Sequence, residues 1–154
     1  MNWVKLLVAI VVCQLAGIIG SIFTISSIPV WYAFLNKPFF NPPNWLFGPA
    51  WIVLYTLMGI SLYLVWQKGL NEKTKVPLAF FGVQLVLNTL WSIIFFGFQA
   101  PMLAFFEIIL LWFAIVFTSY KFYPVSKKAA YLLIPYIVWV SFATLLNYSI
   151  WVLN

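Results

Sequence analysis

The chain has 154 residues, of which 66% are hydrophobic and only 6% are charged. A soluble domain normally carries charge on about a quarter of its residues, so this composition excludes a water-soluble globular protein. The formal net charge of +6 comes from eight lysines and two acidic residues, without any histidine. The single cysteine excludes an internal disulfide.

Five apolar segments, each near the ~20 residues that cross a hydrocarbon core, predict five transmembrane helices. We therefore expect an all-α integral membrane protein, a single domain over 1–154 with a long aromatic and proline-rich loop between helices 1 and 2. The first segment is too long for a signal peptide and has no small-residue cleavage site, so it is predicted to be retained. The predicted helices span about residues 4–25, 45–66, 78–98, 102–120 and 129–152.

The lysines predict how the bundle is oriented. With five spans, the N-terminus and the second and fourth connections share one side of the membrane, whereas Lys37 stands alone on the other. The positive-inside rule then predicts a multi-pass protein of the cell membrane with a cytoplasmic N-terminus and an outward C-terminus. The lysines of the predicted cytoplasmic side are Lys5, Lys68, Lys73, Lys75, Lys121, Lys127 and Lys128. Topology explains this excess, so no nucleic-acid partner is expected.

Small residues recur every four positions along helix 1, a spacing that lets a neighbouring backbone approach closely. The neighbour is either another helix of this chain or a second subunit, so a homodimer is one interpretation. The two rows are Ala9, Cys13, Gly17 and Ser21, and Ala16, Gly20 and Thr24.

The connection 26–44 is long for so compact a protein, and its prolines forbid a continuous helix. It is either a lid over the mouth of the bundle or an aromatic anchor at the membrane interface.

Polar and aromatic side chains recur on one face of each of three predicted helices. If the three faces converge, they enclose a pocket with aromatic walls and a few orienting polar groups, the usual composition of a small-molecule site. The faces consist of Phe47, Trp51, Tyr55 and Met58 on helix 2; Gln84, Asn88 and Trp91 on helix 3; and Trp139, Ala143, Leu146 and Asn147 on helix 5. The amides have a second interpretation, hydrogen bonding between helices.

The sequence lacks the residues that several kinds of catalysis and transport normally require. The sequence has no phosphate-binding glycine loop, no metal-ligand cluster and no nucleophile paired with a histidine, so hydrolysis is not expected and no metal site is predicted. Ion-coupled transport normally needs charges within the membrane, and Glu107 is the only acidic residue within a span. Its role is left open.

Four stretches resemble the TspO/MBR family, the tryptophan-rich sensory proteins and the animal translocator proteins once called peripheral benzodiazepine receptors. They lie in order and at the family's spacing: Trp31 to Trp45, Phe47 to Tyr55, Gln84 to Ser92, and Pro135 to Tyr148. The absence of an animal-type polar extension after them favours a bacterial member.

The resemblance implies a five-helix bundle whose pocket opens beneath the first loop. Its pocket positions fall on Trp51, Asn88, Trp91, Trp139 and Ala143, and Tyr32 matches a loop tyrosine that could close over a ligand. The implied ligands are porphyrins such as protoporphyrin IX, benzodiazepine-type and other hydrophobic drug-like molecules and, in animals, cholesterol. No basic residue follows Leu146-Asn147-Tyr148, which argues against a sterol partner, although such motifs are weak patterns.

The leading hypothesis is a membrane receptor that binds porphyrin and requires no cofactor. Because the chain lacks histidine, the commonest axial ligand of haem iron, a metal-free porphyrin is expected. One alternative is an enzyme that degrades porphyrin with light and oxygen, with Trp51 and Trp139 as catalytic residues. Further alternatives are a passive transporter of porphyrin or lipid, and a structural or signalling partner without a ligand.

Overall fold

The structure is a computed structural model that describes residues 1–154. It is entirely helical, with five helical segments long and apolar enough to cross a membrane, which confirms the predicted fold class. The elements are α1 (Trp3–Ser27), α2 (Asn44–Trp66), α3 (Lys75–Ser92), α4 (Pro101–Phe122), α5 (Lys127–Leu132) and α6 (Ile134–Leu153).

Two spans are less regular than the sequence predicts. The third continues beyond α3 as a π-helical turn, Ile93–Gly97, and the fifth is divided into α5 and α6 at Leu133, just before Pro135. A proline removes a backbone donor and clashes with the preceding turn, so the single predicted helix 129–152 is interrupted there. The third span also begins at Lys75, three residues before the predicted start.

Local sequence explains several helix ends. The Asn2 side chain accepts a hydrogen bond from the Lys5 amide, and Ser126 does the same for Ala129; short polar side chains at these positions satisfy the free donors of a first turn. Pro101 begins α4, where a missing donor costs least. Gly69, just beyond α2, has a φ of 89°, a left-handed conformation that glycine adopts without strain.

The chain order defines two ends of the bundle. The loop end carries the first loop, the α3–α4 turn and Asn154, whereas the lysine end carries the N-terminus, the α2–α3 connection and the α4–α5 connection. The main core cluster includes Met58, Ile115, Phe122 and Tyr136, all fully buried, and a second cluster lies under the first loop around Tyr32 and Phe95.

The small residues of α1 serve contacts within the chain. Ala9, Cys13, Ala16 and Gly20 are buried, and the Thr89 hydroxyl of α3 donates to the Ala16 carbonyl over 3.0 Å. The structure thus favours the intramolecular interpretation of these rows.

Candidate functional site

A cavity of about 540 Å³ lies among α1, α2, the end of the third span and α6, beneath the first loop. Its volume is within the range typical of small-molecule sites. None of the 24 residues that line it carries a formal charge, and 16 of them are hydrophobic. The site therefore suits a largely apolar molecule.

One wall of the cavity is an aromatic cluster from α2 and α6. The rings of Trp51 and Trp139 meet almost at a right angle, with centroids 6.4 Å apart, and Phe47 meets Trp139 edge-on at 6.2 Å. Trp51 also stacks on Tyr55, with centroids 5.5 Å apart. These residues share a face because they recur at helical spacing, and the packing of α2 beside α6 brings the two faces together.

A second wall of the cavity comes from the third span. Trp91 stacks on Phe95 with centroids 5.0 Å apart, and its indole N–H donates to Asn147 Oδ1 over 2.9 Å. The Asn147 amide donates in turn to the Pro101 carbonyl over 2.8 Å. The polar groups of Trp91 and Asn147 are thus already paired, so these residues offer a ligand mainly apolar surface.

A buried hydrogen-bond network lies below the cavity, toward the lysine end. The Tyr55 hydroxyl donates to Asn88 Oδ1, the Asn88 amide donates to the Tyr136 hydroxyl over 2.6 Å, and Tyr136 donates to Gln84 Oε1 over 2.8 Å. The Gln84 amide lies 3.9 Å from the sulfur of Met58. Unpaired polar groups are costly in lipid, so this network satisfies the interior side chains and fixes the Tyr55 ring under Trp51.

Tyr32 forms part of the roof. It is buried against Phe95 and Phe96, and its hydroxyl donates to Asn41 Oδ1 over 3.0 Å. Burial raises the pKa of Tyr32 above its ordinary value and outweighs the opposing effect of the Asn41 hydrogen bond, so the hydroxyl keeps its proton at neutral pH. The Lys37 amine lies 4.7 Å from the centre of the Tyr32 ring but does not line the cavity.

The structure brings most of the predicted site residues together. Nine of them line the cavity: Tyr32, Phe47, Trp51, Tyr55, Trp91, Trp139, Ala143, Leu146 and Asn147. Gln84 and Asn88 do not, because their amides are engaged in the network below it. A direct contact of these two residues with a ligand therefore has no support in the geometry, and binding by the other nine stays a prediction.

Sequence reasoning missed the contribution of α1, which supplies Gln14, Gly17, Ser21 and Thr24 to the cavity wall. The signal was present in the small residues of this helix, but they were interpreted only as packing positions. Phe95 and Phe96 were also missed; both line the cavity from the π-helical turn.

Two residues of α4, the partly buried Trp112 and the buried Glu107, lie apart from the cavity. Trp112 of α4 donates its indole N–H to the Ser141 hydroxyl over 2.8 Å. Glu107 is buried in α4 without a hydrogen-bond partner.

Comparison with known proteins identifies the family. The model of the TspO/MBR family matches residues 9–152. The chain is 48% identical over 154 residues to a tryptophan-rich protein TspO of Archaeoglobus fulgidus, and the match covers 100% of this chain and 99% of that protein. It is 40% identical over 151 residues to the translocator protein of Homo sapiens, covering 97% of this chain and 89% of the human one.

A third relative, the tryptophan-rich sensory protein of Cereibacter sphaeroides, is 34% identical over 154 residues, covering 100% of this chain and 94% of that protein. The match extends beyond the cavity residues to all five spans. This chain is a multi-pass membrane protein and a member of the TspO/MBR family.

Proposed function

We propose that the protein is a membrane receptor that binds porphyrins, such as protoporphyrin IX, and hydrophobic drug-like molecules in the cavity beneath the first loop. The observation that carries the proposal is the pair of tryptophans, Trp51 and Trp139, set nearly at right angles on an uncharged wall. A flat macrocycle can stack on one indole and meet the edge of the other, and each such contact contributes about 0.5–1.5 kcal/mol beyond the burial of area.

The hydrogen-bonding state of the tryptophans supports the same site. Trp91 and Trp112 donate their indole N–H groups to side chains, whereas those of Trp51 and Trp139 have no protein acceptor among the side-chain hydrogen bonds. Both indoles are only partly buried and line the cavity, so these two donors are available to acceptor atoms of a ligand.

Charge suggests how a porphyrin would be oriented. The cavity wall has no cation to pair with propionate groups, and Lys37 is the only lysine at the loop end. We therefore expect the propionates to point toward the first loop, where Lys37 and backbone amides lie. Because no histidine is available to ligate iron, the proposed ligand is the metal-free macrocycle.

The test is a titration of detergent-solubilised protein with protoporphyrin IX, followed by porphyrin fluorescence. Replacing both tryptophans, Trp51→Phe with Trp139→Phe, is expected to weaken binding roughly tenfold, since about 1.4 kcal/mol of stacking is lost. Trp112→Phe is the matched control, because Trp112 lies outside the cavity, and it should bind as the wild type does. Equal affinities of the double variant and the control would contradict the proposal.

The same samples under illumination test the alternative that the bound porphyrin is degraded. A new absorbing product that forms with the wild type, and more slowly with Trp139→Phe, would assign the protein a photo-oxidative activity. An unchanged porphyrin spectrum would leave binding as the function.

We further propose that the protein resides in the cell membrane with its lysine end in the cytoplasm. Seven lysines at that end support this orientation. A reporter fused at Asn154 should report an external position, and cytoplasmic reporter activity would reverse the assignment. A homodimer also stays a prediction, and it would need a surface other than the buried small residues of α1.

A further inference from the structure

The outer surfaces of α1 and α2 do not close over the cavity. Ile18 and Ile25 of α1 and Ile52 of α2 all line it, yet 55%, 69% and 61% of their surfaces are exposed. Gly48 of α2 also lines the cavity, and no atom lies within 4 Å of the position a Cβ would occupy there. Residues that are both lining and exposed mark an opening in the side of the bundle.

The packing of α1 explains why the opening is there. Toward the lysine end, α1 lies close to α2: a Cβ on Gly59 would lie 2.5 Å from the Cα of Ile10. Toward the loop end, the last side-chain hydrogen bonds between the two helices come from Gln14. Its amide donates to the Ile52 carbonyl and to the Thr56 hydroxyl, each over 3.0 Å.

Gly17, about one turn beyond Gln14, still lies against the Tyr55 ring of α2, and beyond Gly17 the helix α1 lies against the third span instead. A Cβ on Gly20 would lie 3.1 Å from the Ser92 hydroxyl, and one on Gly97 would lie 2.9 Å from the Phe23 ring. The loop-end part of α1 is therefore held by the third span, which leaves a gap on the side of α2.

The gap lies at the depth of the hydrocarbon. Ile18 is nine residues before the end of α1, and Ile52 is eight residues after the start of α2, which places both about 12–14 Å from the loop ends of their helices at 1.5 Å per residue. A hydrocarbon core is about 30 Å thick, so these side chains lie near its middle. The chemistry that matches them is an apolar molecule dissolved in lipid.

The first loop is held to the end of α6 by three hydrogen bonds, which form a latch between Asn36 and the Leu153–Asn154 segment. The Asn36 amide N–H donates to Asn154 Oδ1 over 3.0 Å, the Asn36 side chain donates to the Leu153 carbonyl over 3.3 Å, and the Asn154 side chain donates to the Asn36 carbonyl over 2.9 Å. Tyr32 is only 4% exposed. Entry from water would have to displace this latch and the buried ring, whereas the lateral gap needs neither.

We propose that the cavity opens sideways into the bilayer between the loop-end parts of α1 and α2, and that its ligands enter as molecules dissolved in the hydrocarbon. This inference rests on the proposed function for the identity of the ligand but not for the existence of the opening. It makes the protein a receptor for membrane-partitioned molecules, whose access depends on the gap lined by Ile18, Ser21, Gly48 and Ile52.

The experiment measures association and dissociation rates of protoporphyrin IX with protein reconstituted in lipid vesicles. Gly48→Leu places a side chain in the gap, and we expect both the association rate and the dissociation rate to fall at least fivefold. Gly82→Leu is the matched control, because Gly82 also has no atom within 4 Å of its Cβ position but does not line the cavity; its rates should equal those of the wild type.

Two results would overturn the lateral opening. One is a Gly48→Leu variant with wild-type rates, or one whose Kd rises through faster dissociation alone, as expected for a mere change of cavity shape. The other is faster association after the latch is removed by Asn36→Ala with Asn154→Ala, because that acceleration would place the route in the first loop.

A second readout keeps the test independent of porphyrin. If the wild type binds no protoporphyrin IX, the proposed function fails, and a phospholipid with a photoreactive diazirine in its acyl chain then probes the gap. Labelling of Ser21 and Gly48, which line the cavity, would support the opening. Labelling restricted to the exposed residues Ile22 and Val53, which do not line it, would contradict it.

Discussion

The pairing of α1 with α2 differs between the two ends of the bundle. At the lysine end, Gly59 lets the backbone of α1 pass so close that an added Cβ would overlap it; at the loop end, Gly48 faces open space. The difference shows that one end of this helix pair is packed for stability, while the other is parted around a cavity. Substitutions at the packed end should therefore change folding, and substitutions at the parted end should change binding.

The largest expected effect is at the close contact. Gly59→Ala should destabilise the protein by roughly 2–3 kcal/mol, because the added methyl group meets the Ile10 backbone, which cannot rotate away. The matched substitution Gly48→Ala should leave stability unchanged or raise it by up to about 1 kcal/mol, since glycine is a poor helix residue. Thermal unfolding in detergent measures both, and equal midpoints would remove the distinction between the two ends.

The network below the cavity should come next. Asn88→Leu leaves the Tyr55 hydroxyl without its acceptor and removes the donor to Tyr136, at a cost of roughly 2 kcal/mol. We expect the unfolding midpoint in detergent, measured by circular dichroism, to be lower than that of the wild type. A variant as stable as the wild type would show that these hydroxyl groups find other partners, and that the network does not fix the base of the cavity.

A smaller effect is expected where the close contact ends. Gln14→Leu removes the two hydrogen bonds that tie α1 to α2 below the gap, which should cost about 1 kcal/mol. Because the helices can then separate further, exchange of protoporphyrin IX with the bilayer should become faster in vesicle kinetics. Unchanged exchange together with lower stability would mean that Gln14 supports the fold without limiting the gap.

The smallest effect should be at the roof. Tyr32→Phe keeps the ring packed on Phe95 and Phe96 but removes the hydrogen bond to Asn41, which should cost about 0.5–1 kcal/mol. Porphyrin affinity should change less than twofold in the fluorescence titration. A large loss of affinity would instead indicate that the Tyr32 hydroxyl contacts the ligand.

Much of the fold could be predicted because a chain that crosses hydrocarbon must satisfy its backbone hydrogen bonds within helices. Long apolar runs give the spans, and helical spacing correctly placed Trp51, Tyr55, Trp91 and Trp139 on inward faces. The interruption at Leu133 was missed although Pro135 is visible in the sequence, because the fifth apolar run was interpreted by its length alone and the helix-breaking effect of the proline was not applied. The π-helical turn has no periodic signature at all, so Phe95 and Phe96 could not be assigned to the cavity.

The polar residues were harder to predict. Periodicity placed Gln84 and Asn88 inside correctly, but whether an interior amide meets a ligand or another side chain depends on which hydroxyls lie across from it. Tyr136 decides this by bonding both. The small residues of α1 indicate a close approach, but its contribution to the cavity also depends on where two helices separate, which is set by contacts such as Gly20 with Ser92.

The measurement that tests the account most directly fills the cavity and asks whether binding is lost. Ala143→Trp adds a large side chain to the wall beneath the first loop, and Val138→Trp adds the same side chain to an exposed position of the same helix. With protoporphyrin IX, we expect at least tenfold weaker binding for Ala143→Trp, wild-type affinity for Val138→Trp, and similar unfolding midpoints for both. Wild-type affinity in both variants would contradict the claim that this cavity is the binding site.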